Sequence, residues 1–145
     1  MTKLDLDLCY LTATEALAKF KARDLSPVEL TEALIARSSA VNPKLNVLTE
    51  LKTEVALKNA RAAEGRYRNS KAGRARALEG VPVAIKDFHS VKGERTTFGS
   101  KAFADFKPAN SAPTVDRLLK AGAILLSRTT TSELAHSGIT KTPLW

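Results

Sequence analysis

Apolar and polar positions follow two different rhythms along this chain. In the first half they recur at spacings of three and four, the period of a helix with one buried face. Leu11-Thr-Ala-Thr-Glu15 places Thr12 as an N-cap with Glu15 three residues on, the reciprocal pairing that satisfies two orphan amide donors, and predicts a helix to about Ala22. Ser26-Pro27-Val28-Glu29 repeats that logic with proline at the first helical position. Leu30, Ala33, Leu34 and Arg37 continue the second helix, which Asn42-Pro43 is expected to end. Leu45 to Leu48 reads as a short mixed strand. A third helix from about Thr53 carries Val55, Ala56, Ala60 and Ala63 on one side, and Gly65 and Gly73 mark its fraying and a loop.

The rhythm changes at Leu78. Val81-Pro82-Val83-Ala84-Ile85 is a continuous apolar run of the kind expected from a strand buried on both faces, with Pro82 near its start, where a missing ladder donor is tolerated. Two short segments, Phe88 to Val91 and Thr96 to Phe98, flank a turn at Lys92 to Arg95 and read as minor strands. Ala112-Pro113 opens a helix bearing Val115, Leu118, Leu119 and Ala121, which Gly122 closes. Ala123 to Ser127 is a second buried-type strand, and strand, crossover with a helix, strand is the grammar of parallel pairing. Thr131 or Ser132, with Glu133 behind it, predicts a short final helix through about Ser137. The fold class is therefore α/β, with N-terminal helices followed by βαβ elements.

Composition narrows the class. At 145 residues, 43% hydrophobic and 26% charged, the chain is that of a soluble globular domain, without an apolar run long enough to span a membrane and with acids where a signal peptide would be apolar. The expected location is cytoplasmic. Cys9 is the single cysteine, and His89 and His136 are the only histidines, so neither an internal disulfide nor a metal site is expected. The formal charge of +8 is concentrated in Lys58, Arg61, Arg66, Arg68, Lys71, Arg74 and Arg76, opposed within that stretch only by Glu64. Tyr67 is the one aromatic there, so a solvated helix end and loop is the favoured reading and nucleic-acid binding is not expected.

Candidate chemistry centres on Lys86, at the end of the most apolar strand-like run. A lysine after a strand ordinarily extends its ammonium to water. Buried, it would lose proton affinity and serve as a base near neutral pH. Asp87 faces the other way if the strand continues, and need not neutralise it. His89-Ser90 and His136-Ser137 pair a base with a hydroxyl, but adjacent residues do not align nucleophile with base. The glycines lack the spacing of a phosphate-binding loop.

An ordered series of segments resembles the amidase signature hydrolases. It comprises Leu78 to Asp87, Val91-Lys-Gly93, Thr96 to Ser100, Thr114 to Ala123 and Arg128 to Ala135, preceded by Leu25 to Thr31 and the Asn42-Pro-x-Leu-Asn46 turn. The resemblance covers essentially the whole chain and implies a mixed-sheet fold and a Ser-cisSer-Lys arrangement: one serine attacks an amide carbonyl, a second relays the proton, and a buried lysine accepts it. Lys86 stands where that lysine is expected. Ser90, Thr96 and Thr142 are conjectured to line the site. Neither metal nor organic cofactor is implied; the implied substrate is a small-molecule amide.

In the family, Pro-Leu-Trp precedes a Gly/Ser-rich stretch carrying the relay serine and oxyanion-hole amides, and then the nucleophile. The chain is therefore expected to be an N-terminal portion, a single incomplete domain with a helical region at 1–77 and the start of the α/β core at 78–145, inactive by itself. Two other readings remain open. One is the amidase subunit of a tRNA-dependent amidotransferase, which would give the basic region a use. The other is a non-catalytic module that self-associates through its open sheet edge and apolar C-terminal segment into a homo-oligomer.

Overall fold

The computed structural model describes residues 6–69 and 75–145. After a 3-10 turn at Leu8–Tyr10, helix α1 spans Ala13–Ala22 and α2 Pro27–Leu45. Both begin with the expected capping boxes: Glu15 N donates to Thr12 Oγ1 at 3.2 Å and Glu29 N to Ser26 Oγ at 3.1 Å, while Thr12 N and Ser26 N donate to the glutamate carboxylates at 2.8 and 2.7 Å. Proline does not end α2 where expected, because Pro43 lies in its last turn and the helix runs on to Leu45. Asn42 supplies the stop differently, accepting the Val47 and Leu48 amides on its side chain at 3.0 and 2.9 Å while Asn46 turns left-handed at φ 48°. The first strand is displaced accordingly, to β1 at Leu48–Leu51.

Helix α3, Thr53–Arg68, buries Ala56, Ala60 and Ala63 at 0 to 1% exposure, but Val55 lies on the solvent side, one position off the alanine stripe. Alanine at these positions lets the helix approach closely, and Ala56 and Ala60 pack with Ile124 and Leu126. Gly65 stays within α3, while Gly73, Lys71 and Arg74 fall outside the described residues. The basic stretch is more than a solvated surface. Arg66 Nη1 donates to Glu79 Oε1 at 3.0 Å and Arg76 Nε to Glu79 Oε2 at 2.6 Å, on a carboxylate only 1% exposed. Tyr67 Oη adds a hydrogen bond to the Glu79 carbonyl at 2.9 Å.

Strand β2 spans Pro82–Lys86, helix α4 Pro113–Lys120 and strand β3 Ile124–Thr129. The sheet order is β1-β3-β2, with β3 parallel to β2, as expected from the crossover, and antiparallel to β1. Gly122 closes α4 at φ 102°, packed so near the Glu79 backbone that a Cβ would lie 2.8 Å from its Cα. Central β3 is buried along almost its whole length, against α2 and α3 through Ile124 and Leu126 and against α4 through Leu125. β2 differs from its expected burial on both faces: Ile85 packs in the α4 cluster, but Ala84 and Lys86 are exposed. It is an edge strand of this sheet, while α3 packs mainly on β3 and α2 on β1. The expected minor strands at 88–91 and 96–98 are turns and loop, and the final helix reduces to a 3-10 turn at Glu133–Ala135, where Leu134 and Ala135 are left-handed.

Two stability measurements check this packing. Ala60→Leu adds volume where α3 contacts the sheet and is expected to cost about 1–3 kcal/mol in urea unfolding. Burial pushes the Glu79 carboxyl up, but the Arg76 and Arg66 interactions outweigh it and hold it below the ordinary range. A carboxyl depressed in the folded state stabilises above its unfolded value and loses that contribution as pH falls through the folded value. Glu79→Gln should therefore destabilise by about 1–3 kcal/mol at pH 7, discounted for the half-exposed arginines, with the gap from the parent narrowing below about pH 4. A gap that widens on acidification would contradict this account.

Candidate functional site

β2 delivers Lys86 to its C-terminal end, opposite Thr129 of β3. The backbone there is held on both sides: the Lys86 carbonyl accepts the His89 amide at 2.9 Å and the Asp87 amide donates to the Thr129 carbonyl at 2.8 Å. Ile85 and Asp87 are buried at 6% and 2% exposure, while the Lys86 side chain between them is exposed. Among the described residues its ammonium has no hydrogen-bond or ion-pair partner. The amidase resemblance implies a buried lysine in the family's site; in this chain the Lys86 side chain is exposed, and nothing among the described residues covers that face of the edge strand.

Asp87 turns into the core as strand alternation expects. Its Oδ1 accepts the Thr97 amide at 3.0 Å and Arg128 Nη2 at 3.3 Å, its Oδ2 accepts the Thr97 hydroxyl, and its carbonyl accepts the Phe98 amide at 3.1 Å. Arg128, from β3, is 1% exposed and also donates through Nη2 to Thr96 Oγ1 at 3.2 Å. Burial lowers the Arg128 guanidinium from its ordinary range and the Asp87 carboxylate opposes that shift. Arginine nonetheless stays protonated in proteins, so the pair is ionic. The Nε and Nη1 atoms of Arg128 have no partner among the described residues. The nearby acids Glu50 and Glu94 are occupied by Lys52 Nζ, at 2.7 and 2.5 Å.

The same network fixes the loop beyond Thr97. Phe98 and Gly99 are left-handed, at φ 52° and 67°, and a Cβ on Gly99 would stand 2.7 Å from the Thr131 carbonyl oxygen. The Leu134 amide donates to the Phe98 carbonyl at 2.7 Å and Thr142 Oγ1 to the Gly99 carbonyl at 2.6 Å, drawing the C-terminal segment against this loop. Thr96, conjectured to line a site, is fully buried on Arg128; Thr142 is engaged with Gly99, and Ser90 accepts the Ala112 amide on its carbonyl at 2.9 Å. His89 and His136 are exposed, and neither ring bonds Ser90 or Ser137. Asp87, Thr97 and Arg128 were not singled out from the sequence as a unit. The available signal was a cation at the end of an apolar strand and an acid pointing inward from its neighbour.

This arrangement offers an exposed amine at a strand end whose backbone is held by hydrogen bonds. Among the described residues no cluster of three or more His, Cys, Asp or Glu could hold a metal ion, and no helix is long and apolar enough to cross a membrane. Comparison with known proteins bears on the family of this chain. Over 135 residues the chain is 38% identical to a glutamyl-tRNA(Gln) amidotransferase subunit of Chloroflexus aggregans, covering 93% of this chain and 27% of that protein. It is 39% identical over 139 residues to an acylamidase of Rhodococcus erythropolis, covering 96% of this chain and 29% of that one. The crystal structure of the peptide amidase of Stenotrophomonas maltophilia superposes with a TM-score of 0.77 at 32% identity, over 88% of this chain and 26% of that one. The chain thus spans little more than a quarter of the length of these relatives. Residues 29–145 match the Amidase family, and the chain belongs to it.

Proposed function

We propose that the protein carrying this chain hydrolyses carboxamide C–N bonds through an acyl-serine, with Lys86 as the terminal base. The observation that carries this reading is the placement of Lys86: its backbone is fixed by buried neighbours while its ammonium, without a partner among the described residues, stands on the uncovered face of β2. In its neutral form the amine accepts a proton relayed from an attacking serine. A serine Oγ–carbon bond forms, the C–N bond breaks, and the proton passes to the departing amine; water then cleaves the ester and restores the serine. The two serines and the oxyanion donors belong, in this reading, to a segment outside these 145 residues, which would also cover the open face. The substrate is a small-molecule amide.

A second reading is favoured by the 38% identity to an amidotransferase component: the same amide cleavage serving a tRNA-dependent amidotransferase. The exposed Lys58, Arg61 and Arg68 on α3 would then be placed to meet a partner or phosphate.

Two assays test the chemistry common to both readings, and a third separates them. In the whole protein, Lys86→Ala is expected to lower kcat for ammonia release from simple amides by 10²-fold or more, on the scale of a lost general base. Unchanged turnover would remove Lys86 from the mechanism. The 145-residue chain alone is expected to release no ammonia, and Lys86-dependent turnover by it would overturn the assignment of the serines elsewhere. A tRNA gel shift at two salt concentrations, weakened by Arg61→Ala with Arg68→Ala, would favour the amidotransferase reading; absence of a shift at low salt favours the free-standing amidase.

A further inference from the structure

Asp87 follows the candidate base directly in sequence, and a free carboxylate there would favour the ammonium form of Lys86. The structure commits it elsewhere. Strand alternation turns Asp87 into the core, the Thr97 amide and hydroxyl and Arg128 Nη2 occupy its two oxygens, and the carboxylate and guanidinium, 2% and 1% exposed, balance each other. Of the other charges around this strand end, Glu50 and Glu94 are held by Lys52 and His89 is exposed at the turn after Asp87.

We propose that Arg128 and Thr97 are positioning residues for Lys86: by holding the Asp87 carboxylate in the core they leave the candidate base beside a charge-balanced pair. Asp87, although adjacent in sequence, then presents no free carboxylate to the Lys86 ammonium. The same contacts tie the strand end to the 96–99 loop, so position and electrostatics are fixed together. This rests on the reading of Lys86 as the base, but its test does not require turnover.

The test is trace acetylation of the 145-residue chain across a pH series, with each lysine read by peptide mass spectrometry and exposed Lys58 and Lys107 as internal references. Arg128→Gln releases the Asp87 charge and should move the Lys86 profile to higher pH. Asp87→Asn leaves Arg128 uncompensated and should move it to lower pH. Each shift is expected to be on the order of half a pH unit, the scale of one charge changed beside an exposed group, with the references unmoved. Far-UV circular dichroism of each variant establishes that it is folded, because an unfolded Arg128→Gln chain would also leave the Asp87 carboxylate beside Lys86 while an unfolded Asp87→Asn chain would not. Removing a partner from a buried ion pair can itself prevent folding, so Thr97→Val and Thr97→Ser complete the set. Thr97→Val loosens the carboxylate and should shift Lys86 in the direction of Arg128→Gln by a smaller amount, and Thr97→Ser should restore the parent profile. A Lys86 profile unmoved in folded Thr97→Val, or shifts of one sign in Arg128→Gln and Asp87→Asn, would overturn the proposal. Turnover surviving Lys86→Ala in the whole protein would instead remove the base reading while leaving this charge arrangement intact.

Discussion

A guanidinium buried to 1% exposure has to be neutralised where it stands, and much of this half of the molecule is arranged around that requirement. Arg128 sits on the central strand, so its counter-charge must come from a neighbouring element, and Asp87 at the end of β2 supplies it. Satisfying Asp87 then requires Thr97, and orienting Thr97 requires the left-handed turn at Phe98 and Gly99. That turn is in turn the surface on which Leu134 and Thr142 dock. One buried charge thus specifies the path of three separate segments. Such pairs contribute less to net stability than to the choice of a single arrangement, since the cost of desolvating the ions offsets much of their attraction.

At the other end of β2 a second carboxylate has a comparable organising role by different means. Glu79 lies just before β2 and gathers Arg66 from the end of α3 and Arg76 from the approach to β2, while Tyr67 bonds its carbonyl. Here the cations keep contact with water, so the pairing is a bridge between surface and core and not a wholly buried pair. Gly122 completes this corner by allowing the α4 to β3 turn to approach the Glu79 backbone. The entrance to β2 and its exit are each fixed by one buried acid.

How much of this was legible depended on how local the cause was. Both capping boxes lie within three residues of sequence and read directly, as did the parallel pairing implied by the crossover through α4. Pro43 misled because the rule that a proline ends a helix concerns the residues before it, and Asn42 could satisfy the freed backbone beyond it. Val55 misled because helical spacing fixes a stripe but not its edge. The Asp87 to Arg128 pair spans 41 residues, and no periodicity reports a contact of that range. Lys86 itself was readable as a candidate through the segments around it, but its exposure was not, because the apolar run that suggested burial belongs to an edge strand with only one face covered.

β2 also has a consequence for how this chain meets other strands. An edge of only five residues, Pro82–Lys86, that opens with a proline offers one amide donor fewer to any incoming backbone. A charged side chain at its far end imposes a desolvation cost on any sheet laid over it. Lys86, whatever its part in chemistry, therefore also guards an exposed edge while the chain is folding.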